Sequence, residues 1–409
     1  LFLHVSLGRS TTGRKKVNRF HFLSMKKQIR AIDIRLLGKK RTGDETVFFN
    51  LTKELLAQPS EHEYWLLTDE QDKDNLLAIK KSLGIGEGEQ TRIISLPGKN
   101  RFVWNLITLP WFFLTHHVDT FHTQYILPLF VPRRIKVVDH IHDVSFVALP
   151  QFIGWQDRLF LALFIPLALR RADRIVVPSQ FTKDEIVAHY GTSADKITLI
   201  PNALSPEFQD ARSEHTNVRE QYGLPEHYVV SVGTLQPRKN LPLLIRAMAE
   251  VRKQLPEIKL VLVGNKAGHH VDPDIDRAIL DSQMTDAVVF PGYVEALDLP
   301  SVIRNATVFA FPSRYEGFGI PLLEAMSQDV PVAASDTPCL LEVAGDAALY
   351  FDPTSVASCA EKLYTLLTDN DARASAISLG RGRVSLYSWR ASATKLSFLY
   401  DELCQHHHS

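Results

Sequence analysis

The feature that most restricts this chain is a rhythm of short apolar runs of strand length, most of them followed by a helical pattern. Strand-length runs fall at 29–34, 64–67, 92–96, 118–121, 135–138, 174–177 and 196–200. Helical patterns lie between most of them, including 44–56 and 156–170, the latter expected to kink or break at Pro166. Strands separated by helices pair in parallel rather than as hairpins, and the helices cover the faces of the sheet. A polar, irregular stretch with Pro206 and Pro225 interrupts the rhythm. It restarts at 228–232, 259–263, 288–290, 307–311 and 330–334, and closes with helices over 355–402, broken near Ser388. The expected fold is α/β, with two parallel-sheet domains in tandem. The expected division is 25–203, a linker at 204–226, a second domain at 227–385, and a helix at 386–405 packing back toward the first domain. A length of 409 residues agrees with two domains.

Bulk chemistry narrows the function. Lys and Arg total 46 and so do Asp and Glu, so no net charge draws the chain to nucleic acid. Cys339, Cys359 and Cys404 are scattered without a CxxC pair, which fits a reducing compartment and neither a disulfide scaffold nor a zinc knuckle. The longest apolar runs, 102–114 and 159–169, are too short to span a bilayer and contain Pro110 and Pro166. Both read as core helices, with contact at a membrane surface as the alternative. Residues 1–24 carry Lys and Arg but no acid and no long apolar core, and read as a segment upstream of the fold. His406, His407 and His408 are assigned no metal.

In an open parallel sheet, ligands collect beyond the carboxyl ends of the strands, so chemistry is sought in the loops that follow them. The run 307–311 ends at Pro312 and leads into Ser313-Arg314-Tyr315-Glu316-Gly317-Phe318-Gly319-Ile320-Pro321 and a helix start. Gly317 and Gly319 allow close backbone approach, and free N–H groups at a helix mouth favour an anion. Glu316 in the loop and Glu324 in the first helical turn can face one pocket. The plain alternative is a tight turn, with Glu324 merely favouring the positive helix end. After 228–232 come Gly233 and the adjacent Arg238 and Lys239, a rigid fork and a mobile point charge that suit a diphosphate. A solvated basic turn is the alternative there. The chain has no GxxxxGK[ST] and no post-strand GxGxxG, hence no phosphate-cradling NTPase loop and no standard dinucleotide fingerprint. After 135–138 comes Asp139-His140-Ile141-His142-Asp143. This raises a metallohydrolase built on His140 and His142, but no second acidic motif completes a metal site beside His116, His117 and His122.

Taken in order, Gly233 to Leu241, Val263-Gly264, Phe290-Pro291-Gly292-Tyr293-Val294, Asp298-Leu299-Pro300 and Glu316 with Glu324 eight residues on resemble a retaining glycosyltransferase of family 4. The first domain adds His122, His142-Asp143, Arg171-Ala172-Asp173, Pro178-Ser179 and Ile200-Pro201-Asn202, so the resemblance covers residues 25–400. It implies the GT-B architecture, two Rossmann-like domains facing a central cleft. It further implies a nucleotide diphosphate sugar bound mostly on the second domain. Arg238 and Lys239, with Gly233 in the same loop, would bind the diphosphate in place of a metal. Glu324 would accept from ribose hydroxyls, and the backbone of Gly292, Tyr293 and Val294 would meet the base. Glu316 and the backbone of Gly317, Phe318 and Gly319 would hold the donor sugar and distal phosphate. His142 would reach the sugar near its reacting carbon, making His142, Glu316, Arg238 and Lys239 the expected catalytic set. Gly43, His122 and Asp143 are assigned to the acceptor side.

This sequence departs from the resemblance in the first-domain loop, where Gly43 is followed by Asp44-Glu45 rather than a second glycine. Carboxylates there would repel phosphate, and suit either an acceptor hydroxyl or an acid-first helix start. Ile303 stands where tyrosine is common, and Cys339 reads as a packed thiol. The expected protein is a cytoplasmic, metal-independent, cofactor-free retaining hexosyltransferase. Mannose from GDP-mannose is the first expected donor and a UDP-sugar the second. The acceptor is expected to be a saccharide or lipid-linked saccharide in surface polysaccharide synthesis. Peripheral contact at the inner membrane face would use the aromatic cluster at 104–113. A metallohydrolase and a catalytically silent nucleotide-sugar-binding homologue are the readings from other classes.

Overall fold

The rhythm becomes two wholly parallel sheets in the computed structural model, which describes residues 27–38, 43–86, 90–98, 100–152, 154–209, 217–266, 268 and 270–405. The readings made of residues 1–24, of His406 to His408 and of the middle of the linker lie outside the described residues. The first sheet contains β1 (Ile29–Asp33), β2 (Glu63–Thr68), β3 (Thr91–Ser95), β4 (Thr120–Gln124), β5 (Lys136–His140), β6 (Arg174–Val177) and β7 (Ile197–Leu199). Its order is β3-β2-β1-β4-β5-β6-β7. The second contains β8 (Tyr228–Val232), β9 (Lys259–Val263), β10 (Val288–Val289), β11 (Val308–Phe311), β12 (Val332–Ser335) and β13 (Ala348–Phe351), in the order β10-β9-β8-β11-β12-β13. Each sheet is doubly wound. The strand order reverses between β1 and β4 in one and between β8 and β11 in the other, and a crevice opens at each reversal. Two Rossmann-like domains in the GT-B arrangement result.

The second sheet shows why these residues form strands. Val230, Val261 and Phe309 enter one apolar core with Leu322 and Leu323. Their neighbours Val229, Leu260 and Val308 enter another with Leu244, Met248 and Leu363. Side chains alternate across a strand, so continuous apolar runs serve a sheet covered on both faces. The helix Leu241–Arg252 starts with a proline in its first turn and buries Leu244, Met248 and Val251 on that sheet. Full burial of such side chains stabilises the fold by roughly 2 kcal/mol each.

The last helix, Trp389–Gln405, lies on the first sheet, where Leu396, Leu399 and Tyr400 join Phe48, Leu51, Ile32 and Val138 in one cluster. The Trp389 indole N–H donates to the Leu204 carbonyl at 3.0 Å, and the Ser392 hydroxyl to the Pro201 carbonyl at 2.6 Å.

Several elements differ from expectation. The helix Trp155–Arg171 runs through Pro166 unbroken, with Ile165, Ala168 and Leu169 buried in the core beneath it. The end of the chain is broken twice, since Asp369 caps a separate helix Asn370–Val384 through the N–H groups of Asp371 and Ala372. β13 was not expected, being a short edge strand without a β-branched residue. Glu324 falls in the second turn of the helix Ile320–Ser327 rather than the first.

Candidate active site

The two crevices face each other, and glycine makes their contact possible. A methyl group on Gly317, in the loop after β11, would lie 1.9 Å from the His142 carbonyl oxygen after β5. The Gly317 carbonyl accepts from the Ser179 hydroxyl at 2.7 Å. Ser179 also caps the helix Gln180–Tyr190 by accepting from the Thr182 N–H at 3.1 Å. The first two N–H groups of that helix, from Gln180 and Phe181, donate to the Glu342 carboxylate of the second domain at 2.7 and 2.9 Å. An anion at a helix mouth meets unpaired amides and the positive end of the macrodipole. Tyr315 is buried against Phe181, ring centres 5.2 Å apart, so the β11 loop is seated on the first domain.

The same loop carries an ion cluster. The Glu316 carboxylate accepts from the Arg238 guanidinium at 3.0 Å and from the Lys239 ammonium. Burial alone would raise the Glu316 pKa, but Lys239 and Arg238 outweigh it and hold the carboxyl down at about 2. Burial lowers Lys239 and the neighbouring Arg238 adds to this, against the pull of Glu316. Burial also opposes the Arg238 charge, but Glu316 and Asp143 hold that guanidinium above its usual range. Glu316 is therefore a carboxylate tied to both basic side chains before any ligand arrives.

Two cavities adjoin it. One, of about 390 Å³, brings together Gly233, Gly292, Tyr293, Val294 and Glu324 from the second domain and Gly43 from the first. A space of this size accepts a compact small molecule. Glu324 is buried there and accepts from the Ser205 hydroxyl at 3.4 Å. A methyl group on Gly264 would lie 2.4 Å from the Gly233 carbonyl, so the loops after β8 and β9 also need glycine to close this wall. The other cavity, of about 490 Å³, is lined by Asp143, Asp44 and Arg238, with Phe146, Leu149 and Phe152 as an apolar wall.

The expected residues divide as follows. Arg238 lines the Asp143 cavity and pairs with Glu316, whereas His142, Lys239, Glu316, Gly317, Phe318 and Gly319 line neither of these two cavities. Gly43, expected on the acceptor side, lines the Glu324 cavity instead, while its neighbour Asp44 faces the Asp143 cavity. Phe318 is buried with its ring edge-on to Tyr387, 5.3 Å between centres, and Gly319 opens the following helix at φ +97°.

His142 is buried beside the Gly317 loop, 6% exposed, with Nε2 2.8 Å from the Gln124 amide oxygen. That acceptor places the imidazole proton on Nε2. His140 is stacked on His142 at 4.4 Å and is wholly buried. His122, expected on the acceptor side, does not reach the cleft. It stacks on His140 at 5.8 Å, and its Nδ1 lies 2.6 Å from the Tyr400 hydroxyl of the last helix. Its place in β4 directs it into the sheet's covered face. Burial lowers its pKa to about 3 and keeps it neutral, and burial drives His140 well below its usual value.

Sequence reasoning passed over Thr46, Ser205, Thr234 and Asn265, which line the Glu324 cavity. Thr234 and Asn265 follow β8 and β9 by two residues, a signal the strand-end rule could have used. It also missed Tyr125, which lines the Asp143 cavity and adopts φ 57°, a left-handed conformation costly for a bulky residue. Its hydroxyl oxygen accepts from the Asp143 N–H at 3.3 Å. Among the described residues, no group of three or more His, Cys, Asp or Glu side chains is arranged to hold a metal ion.

Facing doubly wound sheets, with an ion cluster and two cavities between them, define the GT-B class of glycosyltransferase folds. Solved structures share the fold. A sucrose-phosphate synthase from Thermosynechococcus elongatus aligns with a TM-score of 0.69 at 22% identity, covering 92% of this chain and 99% of that one. Anabaena HepE in complex with UDP-glucose aligns at 0.70 and 18% identity, covering 92% and 100%. Residues 41–208 match the model of Glycosyltransferase Family 4, and residues 215–383 that of Glycosyl transferases group 1. An Escherichia coli protein named O-antigen chain mannosyltransferase B is 30% identical over 274 residues, 65% of this chain and 70% of that protein. A GDP-mannose-dependent alpha-(1-6)-phosphatidylinositol monomannoside mannosyltransferase of Mycolicibacterium smegmatis is 30% identical over 283 residues, again 65% and 70%. The chain belongs to this family of nucleotide-sugar-dependent glycosyltransferases.

Proposed function

We propose that the chain is a metal-independent, retaining hexosyltransferase that takes mannose from GDP-mannose and passes it to a saccharide or lipid-linked saccharide hydroxyl at the cytoplasmic face of a membrane. The observation that carries the reading is the paired Arg238, Lys239 and Glu316 cluster, whose Arg238 lines the Asp143 cavity, with the Glu324 cavity on the same domain face. Residues 227–385 hold the donor and 25–203 the acceptor, 386–405 brace the first domain, and the expected linker 204–226 packs Leu204, Phe208, Val218 and Leu224 into the second domain's core. The nucleoside occupies the Glu324 cavity, its ribose hydroxyls donating to that carboxylate. The diphosphate lies against Arg238 and Lys239, and the acceptor enters beside Asp143.

In the reaction the bond from the sugar carbon to the diphosphate oxygen breaks, and its electron pair leaves with the diphosphate. The acceptor oxygen bonds to the same carbon from the same face and yields its proton to the departing phosphate. Negative charge grows where Arg238 and Lys239 point, and each such fixed donor is worth on the order of 3 kcal/mol. Glu316 orients both cations, and His142, held by Gln124, contacts the sugar ring.

The mannosyl assignment is supported by the names of the two curated relatives. His140 is enclosed between His122 and His142, which argues against a hydrolase centred on it. The test is a thermal-shift panel of GDP, UDP, ADP and their sugar conjugates, with and without EDTA, followed by donor-consumption assays. Ligand at a hundred times its dissociation constant adds about 2.7 kcal/mol to the folded state. Stabilisation by GDP-mannose that survives EDTA and is lost in Glu324→Ala is expected. Preference for a uridine nucleotide would transfer the donor assignment. Turnover abolished by EDTA and restored by a divalent cation would overturn metal independence.

A further inference from the structure

The apolar runs at 102–114 and 159–169 are only half core. The first is one helical run built from Arg101–Val103, a π-helical turn Trp104–Thr108 and Leu109–Thr115. Trp104, Leu109, Phe112 and Phe113 face inward. On its outer side Ile107 is 63% exposed, Trp111 68% and Leu114 58%. The helix Trp155–Arg171 repeats the pattern, with Leu159, Leu163 and Leu167 exposed at four-residue spacing, and the loop between β4 and β5 adds Leu129 and Phe130. The three segments are neighbours. Phe102 meets Phe160 edge-on at 5.5 Å, and the Leu129 N–H donates to the Asn105 carbonyl at 2.9 Å. Exposed apolar groups so grouped mark a contact surface rather than ordinary scatter.

Among the described residues of these three segments, the exposed charges are arginines. Arg101, Arg133, Arg134, Arg158 and Arg170 are exposed beside it. The stretches 99–118, 120–138 and 158–172 contain no Asp or Glu, although the whole chain is formally neutral. The Arg101 guanidinium lies over the Phe160 ring at 4.4 Å, joining basic border to apolar surface. Arg101 and Leu161 also line the Asp143 cavity, whose Phe146, Leu149 and Phe152 wall continues the apolar character inward.

We propose that this surface docks on an anionic phospholipid bilayer and opens the Asp143 cavity at the lipid boundary. Apolar side chains enter the headgroup region while the arginines meet lipid phosphates. Contact is peripheral, for among the described residues no helix is long and apolar enough to cross a membrane. A second copy of the chain fits less well, because a two-fold interface would set the arginine border against itself. The docking surface stands independently of the transferase reading. Delivery of a lipid-linked acceptor to the cavity rests on that reading.

The test is sedimentation of the full chain with phosphatidylcholine vesicles, with and without phosphatidylglycerol, and no donor present. Binding to the anionic vesicles is expected, weakening with salt and falling at least about tenfold in Trp111→Glu with Leu163→Glu. The nucleotide-induced thermal shift of that variant stays as in the unaltered chain, showing that fold and cleft persist. Equal binding to both vesicle types, or unchanged binding by the variant, would overturn the proposal. So would a dimer in solution that the same substitutions dissociate, because it would assign the surface to a second copy. Failure of the transferase reading would show in the nucleotide panel and leave the vesicle result intact.

Discussion

β4 and β11 hold equivalent places, each beside the first strand of its sheet at the crevice, and they reach the cleft with different chemistry. β11 is apolar along its length and keeps its charges for the loop beyond, where Glu316 meets Arg238 and Lys239. β4 carries His122, Thr123 and Gln124 within the sheet, and Gln124 holds His142 from below. One half therefore brings an ion cluster to the domain junction, while His122 and His140 of the other half stay buried and neutral within the fold. The comparison teaches that identical topology leaves the chemistry to the last residues of each strand.

The comparison breaks most sharply at the charged half. Arg238→Ala is expected to lower kcat about a hundred- to a thousandfold. A loss under threefold would show that the cluster only holds the loop. Next is the joint between halves, where Gly317→Ala forces the loop away from the His142 carbonyl. Displacement of this kind near a reacting centre costs about a hundredfold in turnover. Unchanged turnover would mean that the two halves work apart.

The neutral half is tested by pH. His122 and His140 have folded-state pKa values below those of the unfolded chain, so their stability is complete above about pH 6.5 and is lost as pH falls. Asp139, raised to about 7 by burial, works the other way and gains stability as pH falls from there. Two protons are taken up on unfolding against one released, so stability falls by about 1.4 kcal/mol per pH unit below pH 6. His140→Phe should flatten that slope in urea unfolding at pH 6 and pH 5, and an unaltered slope would place the titration elsewhere. The smallest effect is expected from Glu342→Gln, which keeps an acceptor for the Gln180 and Phe181 amides but removes the charge. A few-fold rise in KM, worth about 1 kcal/mol or less, is the expected outcome. A change as large as that in Gly317→Ala would give the latch a leading role.

The doubly wound plan was legible because uninterrupted apolar runs and strand–helix alternation are local properties. β13 escaped because Ala348, Leu349, Tyr350 and Phe351 make a four-residue run with no β-branched residue, too short to stand out. Glu316, Arg238 and Lys239 were legible as separate motifs, but their mutual pairing joins residues 77 and 78 positions apart. His122 was misread because the face of a strand that a side chain occupies depends on register, which the run itself does not display. Half of each apolar helix was assigned to the core for a similar reason, since an unbroken apolar pattern does not tell which side has a neighbour.

The chain passes between its halves twice, at 201–205 and again at 385–389, and the bonds from Trp389 to Leu204 and from Ser392 to Pro201 set the two passages side by side. A single passage would act as a ball joint, leaving each half free to swivel. Two parallel passages act as the spine of a book and leave one principal rotation. Rotation about that line would part Ser179 from Gly317 and Gln180 from Glu342 together, so the two contacts share one coordinate.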